Sequence, residues 1–376
     1  MALRYCGRFP RPGVSDLYGR GSDLYERVKD VASEARGFYN KEGLNNIDDK
    51  VFTKMMFLDG CFILEFIIMC LPMREEKYHS NMIANVKQDL FLLENQLPYI
   101  VLKKLMEDNK QHWKMMIEIF IIIWRRLHPA VKPEDKSPLH LLDMMRARFV
   151  IQRATVPGRK SQISGTDDRR SSSDERFSLN RTASDWYFYH PATMLKSMGI
   201  QFRPNKTSNL SDVKFESYRL ARGVLTLPPI GIDASTRSLL LNLLAFESSC
   251  HNKLAYNRQQ GVVPSYICFM DSLIDNAEDV LILRNQNVIN NCLGNDQLVA
   301  DLFNEIANNL VPNPHTYVEA KLGIQNHCSN KFKKWMAEGH HVHFRNPWTL
   351  LALSGSLLFI ALTAAQTYLA AMELKQ

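Results

Sequence analysis

Nothing in this sequence announces a reaction. It has no Gly-rich phosphate loop, no Gly-x-Ser-x-Gly turn and no cluster of His, Cys and acidic residues at metal-ligand spacing. Cysteine is sparse: Cys6, Cys61, Cys70, Cys250, Cys268, Cys292 and Cys328 make seven. The number is odd and no pair has Cys-x-x-Cys spacing, which speaks against a disulfide framework or a zinc site and fits a reducing compartment. Charge of one sign is also lacking. Against 46 Lys and Arg stand 39 Asp and Glu, a net charge of +7, too balanced for a dedicated nucleic-acid binder, so no nucleic-acid partner is expected. The N-terminus lacks the apolar core of a secretory signal. Its Pro10, Pro12, Gly13, Gly19 and Gly21 make residues 1–23 a flexible leader.

What is present begins with ordinary globular composition, 45% hydrophobic and 23% charged over 376 residues. That is enough for a full core and for two lobes of usual size. The most informative stretch is the last apolar run, Pro347 to Ala371, which contains no Asp, Glu, Lys or Arg. About 20 such residues cross a bilayer as a helix, so residues 346–372 are expected to form a single-pass transmembrane anchor. With no signal upstream, this is the tail-anchored arrangement. Lys331, Lys333, Lys334 and Arg345 precede the run and only Lys375 follows it. The rule that cytoplasmic flanks carry the cations places the body in the cytosol, with the plasma membrane favoured and the lipid bilayer as the first partner.

Helical spacing starts at Leu24, where Leu24, Val28, Val31, Ala35 and Phe38 recur at three and four residues. Asp48 to Leu71 is apolar nearly all round, as in a buried helix. Its Asp59 and Glu65 point in different directions and are read as structural. In Gln88 to Asp108, Pro98 is expected to end or kink a helix. The neighbouring Glu94, Asn95 and Gln96 should satisfy backbone groups the kink frees, with Glu94 a structural residue whose loss destabilises the fold.

Two of these segments carry a resemblance. DGCFILEF (Asp59 to Phe66) and DLFLLENQLPYIVL (Asp89 to Leu102) resemble the signature of the plant domain of unknown function 247 family. HLLDMMR (His140 to Arg146), LLNLLAFE (Leu240 to Glu247), CLGNDQLVADLFNEI (Cys292 to Ile306) and NPWTLLALSGSLLFIALTAAQ (Asn346 to Gln366) match it in the same order. The Gly-Pro-His motif with which members usually open does not occur before Tyr25. The resemblance implies a mostly helical, membrane-associated plant protein, in some grasses tied to self-incompatibility. It carries no agreed catalytic residues.

Trp113 to Leu127 is apolar but too short to span a bilayer, and reads as a core helix. His140 and Asp143 share a helix face at i,i+3, an acid–base pair without a nucleophile beside it. Val156 to Asp185 is Ser- and Arg-rich and nearly free of large apolar residues. It is expected to be a disordered linker, with Arg169-Arg170-Ser171 resembling a kinase substrate. A helix over His190 to Gly199 should precede short strands at Ile200 to Phe202, Val213 to Phe215 and Val224 to Leu227. Asp233 or Ser235 can cap the next helix. Helical spacing returns over Tyr266 to Leu283, and Asp296 can cap a helix with a stripe of Leu298, Val299, Leu302, Phe303 and Ile306. His340, His341 and His343 join the basic flank, where lipid headgroups suit them better than a metal.

The fold class expected is mainly α: bundle-like helical lobes with a small β element and one C-terminal transmembrane helix. The domains are a leader (1–23), an N-terminal helical lobe (24–155), a linker (156–185), a C-terminal α+β lobe (186–345) and the anchor (346–372). No catalytic, cofactor-binding or metal-ligating residue is assigned, and no cofactor is expected. The expected role is protein interaction or recognition, in signalling or self-incompatibility, through a protein partner. The alternatives are an enzyme of unidentified class or a structural membrane scaffold.

Overall fold

The structure, a computed structural model, describes residues 21–44, 46–71, 80–125, 137–150, 190–207, 209–218, 222–249, 261–329, 354–356 and 358–366. The linker 156–185, the basic flank from Lys331 to Arg345 with its histidines, and most of 346–372 lie outside them. The described chain is mainly helical with small sheets.

Helix α1 (Gly21–Arg36) begins inside the stretch read as leader and buries Leu24, Val28, Val31 and Ala35. Asp23 in its first turn and Arg36 in its last complement the helix dipole. Phe38, read as part of the same stripe, lies beyond the helix end and is 52% exposed. After the short α2 (Lys41–Leu44) comes α3 (Asp49–Met69), which buries Phe52, Met56, Ile63, Leu64, Phe66 and Ile67. A Cβ at Gly60 would collide with Leu105 Cδ1. Glycine there lets α3 approach α5 (Tyr99–Leu105) closely.

Between α4 (Ser80–Asp89) and α5 the chain makes a single 3-10 turn, Leu93–Asn95. Pro98 therefore does not end or kink a helix. It precedes the first residue of α5, with φ −55°, where its fixed φ suits a helix start and its missing N–H costs nothing. The polar triplet does serve the backbone, but through Gln96. Its amide Nε2 donates to the carbonyls of Leu90 (2.9 Å) and Leu92 (2.7 Å), while Oε1 accepts from Leu142 N–H at 2.9 Å. Asn95 donates to Asp89 O at 3.3 Å. Glu94 is exposed, which corrects its reading as a structural residue. Helix α6 (Lys110–Arg125) lays Ile117, Phe120 and Ile121 into the core, with Trp124 stacked on Phe91 at 4.6 Å. Helix α7 (Leu141–Phe149) follows.

The second half opens with α8 (Ala192–Ser197), stopped by Gly199 at φ 80°, a left-handed position glycine tolerates. Strands β1 (Ile200–Pro204), β2 (Lys214–Ser217) and β3 (Gly223–Leu227) form a sheet ordered β1-β3-β2 at the three predicted places. The β1–β3 pair is parallel and β2–β3 antiparallel. A second, unpredicted pair joins β4 (Ile230–Ile232) to β5 (Ile289–Asn291) in parallel. Helices α9 (Thr236–Ser249), α10 (Val262–Asp271), α11 (Ala277–Asn285), α12 (Asp296–Ala307) and α13 (Val318–Ser329) complete the described body. In α12 the cap is Asn295, not Asp296, and Leu298 is 49% exposed while Ala300 takes its place in the core.

One buried apolar cluster runs from Leu24 to Ile324, through both halves. Backbone and side-chain bonds cross between them: Leu93 N–H to Asn242 Oδ1 and Leu210 N–H to Phe149 O, each 2.7 Å. At the C-terminus residues 358–366 are helical, with Leu358, Phe359, Ile360 and Leu362 exposed. Among the described residues no helix is long and apolar enough to cross a membrane.

Gln96→Ala should destabilise the fold by about 1–3 kcal/mol, because it strips partners from buried backbone groups. Glu94→Ala should stay within about 0.5 kcal/mol of wild type. Chemical denaturation of both variants checks the pair; equal losses would contradict this division of roles.

Candidate functional site

The exposed face of α3 supplies the first candidate. Lys50, Val51, Lys54, Phe57 and Leu58 recur at helical spacing along one side and, with Tyr25 of α1, line an open depression of about 390 Å³. Tyr25 meets Phe57 edge to face at 5.7 Å, which fixes the floor. Neighbouring charges are paired: Arg36 holds Asp49 at 3.0 Å, Lys29 holds Glu26 at 2.8 Å, and Arg27 bridges Asp23 and Asp108. Lys50 and Lys54 remain as exposed cations beside apolar side chains. This arrangement can bind apolar groups flanked by negative charge. It holds no nucleophile with a base.

The second candidate is buried. Arg146 of α7 donates from Nε to Glu247 Oε1 of α9 at 2.7 Å, and Glu247 Oε2 accepts from Val263 N–H at 3.3 Å. Burial pushes the Glu247 carboxyl up, and Arg146 opposes the shift. Nearby, Tyr317 donates to Leu210 O at 2.6 Å from a residue at φ 63°. Tyr266 is wholly enclosed, and its hydroxyl has no hydrogen-bond partner among the described residues. Burial pushes both phenols up. It also pushes the Cys268 thiol up to about 11 and the Lys321 ammonium down to about 7, with Cys268 opposing the latter shift. A thiol held protonated is a poor nucleophile. The cluster lies where α7, α9, α10 and α13 meet, and Arg146, Glu247 and Tyr317 are spent on that joint.

The third candidate is a contact invisible to sequence pattern, because its members lie 110 positions apart. Ser217 Oγ sits 3.1 Å from His327 Nδ1, and His327 Nε2 sits 3.2 Å from Met198 O. If Nε2–H donates to that carbonyl, Nδ1 accepts the serine proton, the tautomer a serine nucleophile needs. A general base must also reach the leaving group. This ring is 2% exposed, flanked edge-on by Phe215 at 5.6 Å, with both nitrogens engaged. It acts as a clamp tying α13 to β2 and to the end of α8.

The residues singled out from sequence land in structural places. His140 is the N-cap of α7: its Nδ1 accepts from Asp143 N–H at 3.1 Å, and Asp143 Oδ2 accepts from Leu139 N–H at 2.9 Å. Side chain and backbone are bonded reciprocally, so the pair is a helix cap and not an acid–base dyad. At α11, Asn276 and Asp279 form a capping box. Asp233 Oδ1 accepts from Ser235 N–H at 2.9 Å at the start of α9. Asp59 and Glu65 are half-buried on α3. Arg169 to Ser173 and the three histidines lie outside the described residues, and among those described no three metal-ligating side chains gather.

These features define a mainly helical protein with small mixed sheets and a polar interior committed to its own joints. Comparison with known proteins agrees with the motifs read above. Residues 4–362 match the family described as plant protein of unknown function, DUF247, and the chain belongs to that family. It is 28% identical over 370 residues to the UPF0481 protein At3g47200 of Arabidopsis thaliana, covering 93% of this chain and 74% of that protein. It is 21% identical over 431 residues to the UPF0481 protein At3g02645 of the same plant, covering 93% and 79%. No solved structure gives a significant match.

Lys321 yields a pH prediction. Its ammonium titrates near 7 when folded and near 10.5 otherwise, so between these values the unfolded chain binds a proton the native one does not. Stability from this group therefore rises with pH over that window. Lys321→Met should flatten the rise between about pH 7 and 9, followed by denaturation midpoints. Parallel curves for variant and wild type would contradict the assignment.

Proposed function

We propose that this plant protein is a membrane-tethered interaction component, held by residues 346–372 with its body in the cytosol, that docks a protein partner through the groove between α1 and α3. The observation that carries the docking role is the groove itself: apolar side chains left open on α3 beside two exposed lysines. The anchor rests on the uncharged run Pro347 to Ala371 and on the outward-facing apolar side chains of helical residues 358–366. Lys331, Lys333, Lys334 and Arg345 support the cytosolic orientation. A recognition role in signalling or self-incompatibility at the plasma membrane follows only from the family resemblance. The rival reading as an enzyme would need the Ser217–His327 contact to act as more than the clamp described above. Labelling of Ser217 by a fluorophosphonate, abolished in His327→Gln, would establish that rival.

Deleting residues 346–376 should move the protein from the membrane fraction to the soluble one. Retention of the truncated chain after an alkaline carbonate wash would place the anchor elsewhere. Orientation has its own reporter. The sequence holds glycosylation sequons at Asn180-Arg181-Thr182, Asn205-Lys206-Thr207 and Asn209-Leu210-Ser211. Asn209 is buried, with Oδ1 accepting from Ser211 N–H at 3.0 Å, and Asn205 donates to Asp212 O at 2.9 Å, so the one at Asn180 is the informative one. No glycan is expected in plant cells. A glycosidase-sensitive shift that vanishes in Asn180→Gln would put the body on the other side.

A further inference from the structure

The groove's chemistry also selects a class of partner. We propose that it receives an amphipathic helix of a partner protein whose apolar stripe is flanked by carboxylates at i,i+4 spacing. This rests on the docking role given above and adds the identity of the occupant.

The shape argues for a helix. Helices α1 and α3 pack side by side, and the valley between two packed helices accepts the side-chain ridge of a third. The valley is open and shallow, which suits a row of inserted side chains better than an enclosed small molecule. Its floor is Tyr25 against Phe57, and its wall is the exposed Val51 and the half-buried Leu58. Val51 is 52% exposed. Such a stripe is matched by apolar anchors at i, i+3, i+4 and i+7 on a facing helix.

The charge argues for carboxylates. Lys50 and Lys54 are four apart and so stand one above the other on the same side of α3. Neither has an ion-pair partner among the described residues. The nearby carboxylates of Asp49, Glu26 and Asp23 are held by Arg36, Lys29 and Arg27. Asp48, exposed before the first turn of α3, is two positions from Lys50 and therefore faces another way. The positive end of the α3 dipole lies beside Lys50 and adds to the field. A lipid surface is the poorer occupant. A bilayer contact calls for protruding apolar side chains and a cluster of four or more cations, whereas here the apolar side chains line a hollow and the cations number two.

The test uses the full-length protein in phosphatidylcholine nanodiscs and two fluorescent helical peptides. Both carry the same Leu/Phe stripe; one is flanked by Glu at i,i+4, the other by Lys. Anisotropy should show the Glu peptide binding at least about tenfold more tightly, with the difference shrinking as salt is raised. Lys50→Glu/Lys54→Glu should reverse the preference, with circular dichroism unchanged because both positions are exposed. Equal binding of the two peptides, abolished by Val51→Asp, would overturn the acidic partner while leaving the groove as a docking site. Binding of neither peptide would overturn both. Displacement of the Glu peptide by phosphatidylserine in the nanodisc would overturn the proposal in favour of a lipid surface.

Discussion

A polar joint between the two halves of the described body is formed by the part-exposed Arg146 and the buried Glu247. Arg146 belongs to α7, near the end of the first half; Glu247 belongs to α9 in the second; and Glu247 also takes the N–H of Val263 at the start of α10. Glu247 is 3% exposed. Taking a carboxylate out of water is costly unless its lone pairs are filled, so three elements are obliged to converge on it. Other contacts inherit that geometry. Gln96 reaches α7 through Leu142, His140 caps α7 while its ring lies 4.8 Å from Phe246, and Leu210 links Phe149 to Tyr317.

Other ionisable groups among the described residues are likewise spent on structure. His140 and Asp143 are spent on a helix start, Asp279 on accepting N–H bonds from Thr193 and Asp275, and His327 on a clamp. Cys268 and Tyr266 are held in their protonated forms by burial. Among the described residues a peripheral feature stays open to a partner: an apolar hollow on α3 with two lysines at its edge.

Elements with a long apolar period were legible in the sequence. Leu24, Val28, Val31 and Ala35 mark α1, and Val299, Leu302, Phe303 and Ile306 mark α12, because burial of one face imposes the 3.6-residue repeat. Features decided by one residue or by distant pairing were not. Pro98 reads equally as a helix breaker or a helix start, and only the early end of α4 at Asp89 decides. The Asn295 cap sits beside an equally good candidate in Asp296. Strands β4 and β5 are three residues each and pair across 59 positions, too short for a period of two to show. The candidate site was less legible still. Lys50 and Lys54 interrupt a stretch that reads as apolar all round, and their significance comes only from Tyr25 on another helix. Gln96 and Glu94 are indistinguishable by pattern. Their roles separate because the turn at Leu93–Asn95 aims one inward and the other out.

The most direct measurement of the joint is a double-mutant cycle on Arg146→Met and Glu247→Leu, read by equilibrium denaturation of the full-length protein. Arg146→Met leaves the buried Glu247 carboxylate uncompensated, which costs about 3–5 kcal/mol; Glu247→Leu leaves the part-exposed Arg146 unpaired, which costs less because the guanidinium can reach water. The double change leaves neither, so it should cost far less than the sum of the two. Additive losses would mean that Arg146 and Glu247 act independently and that the pair is no joint.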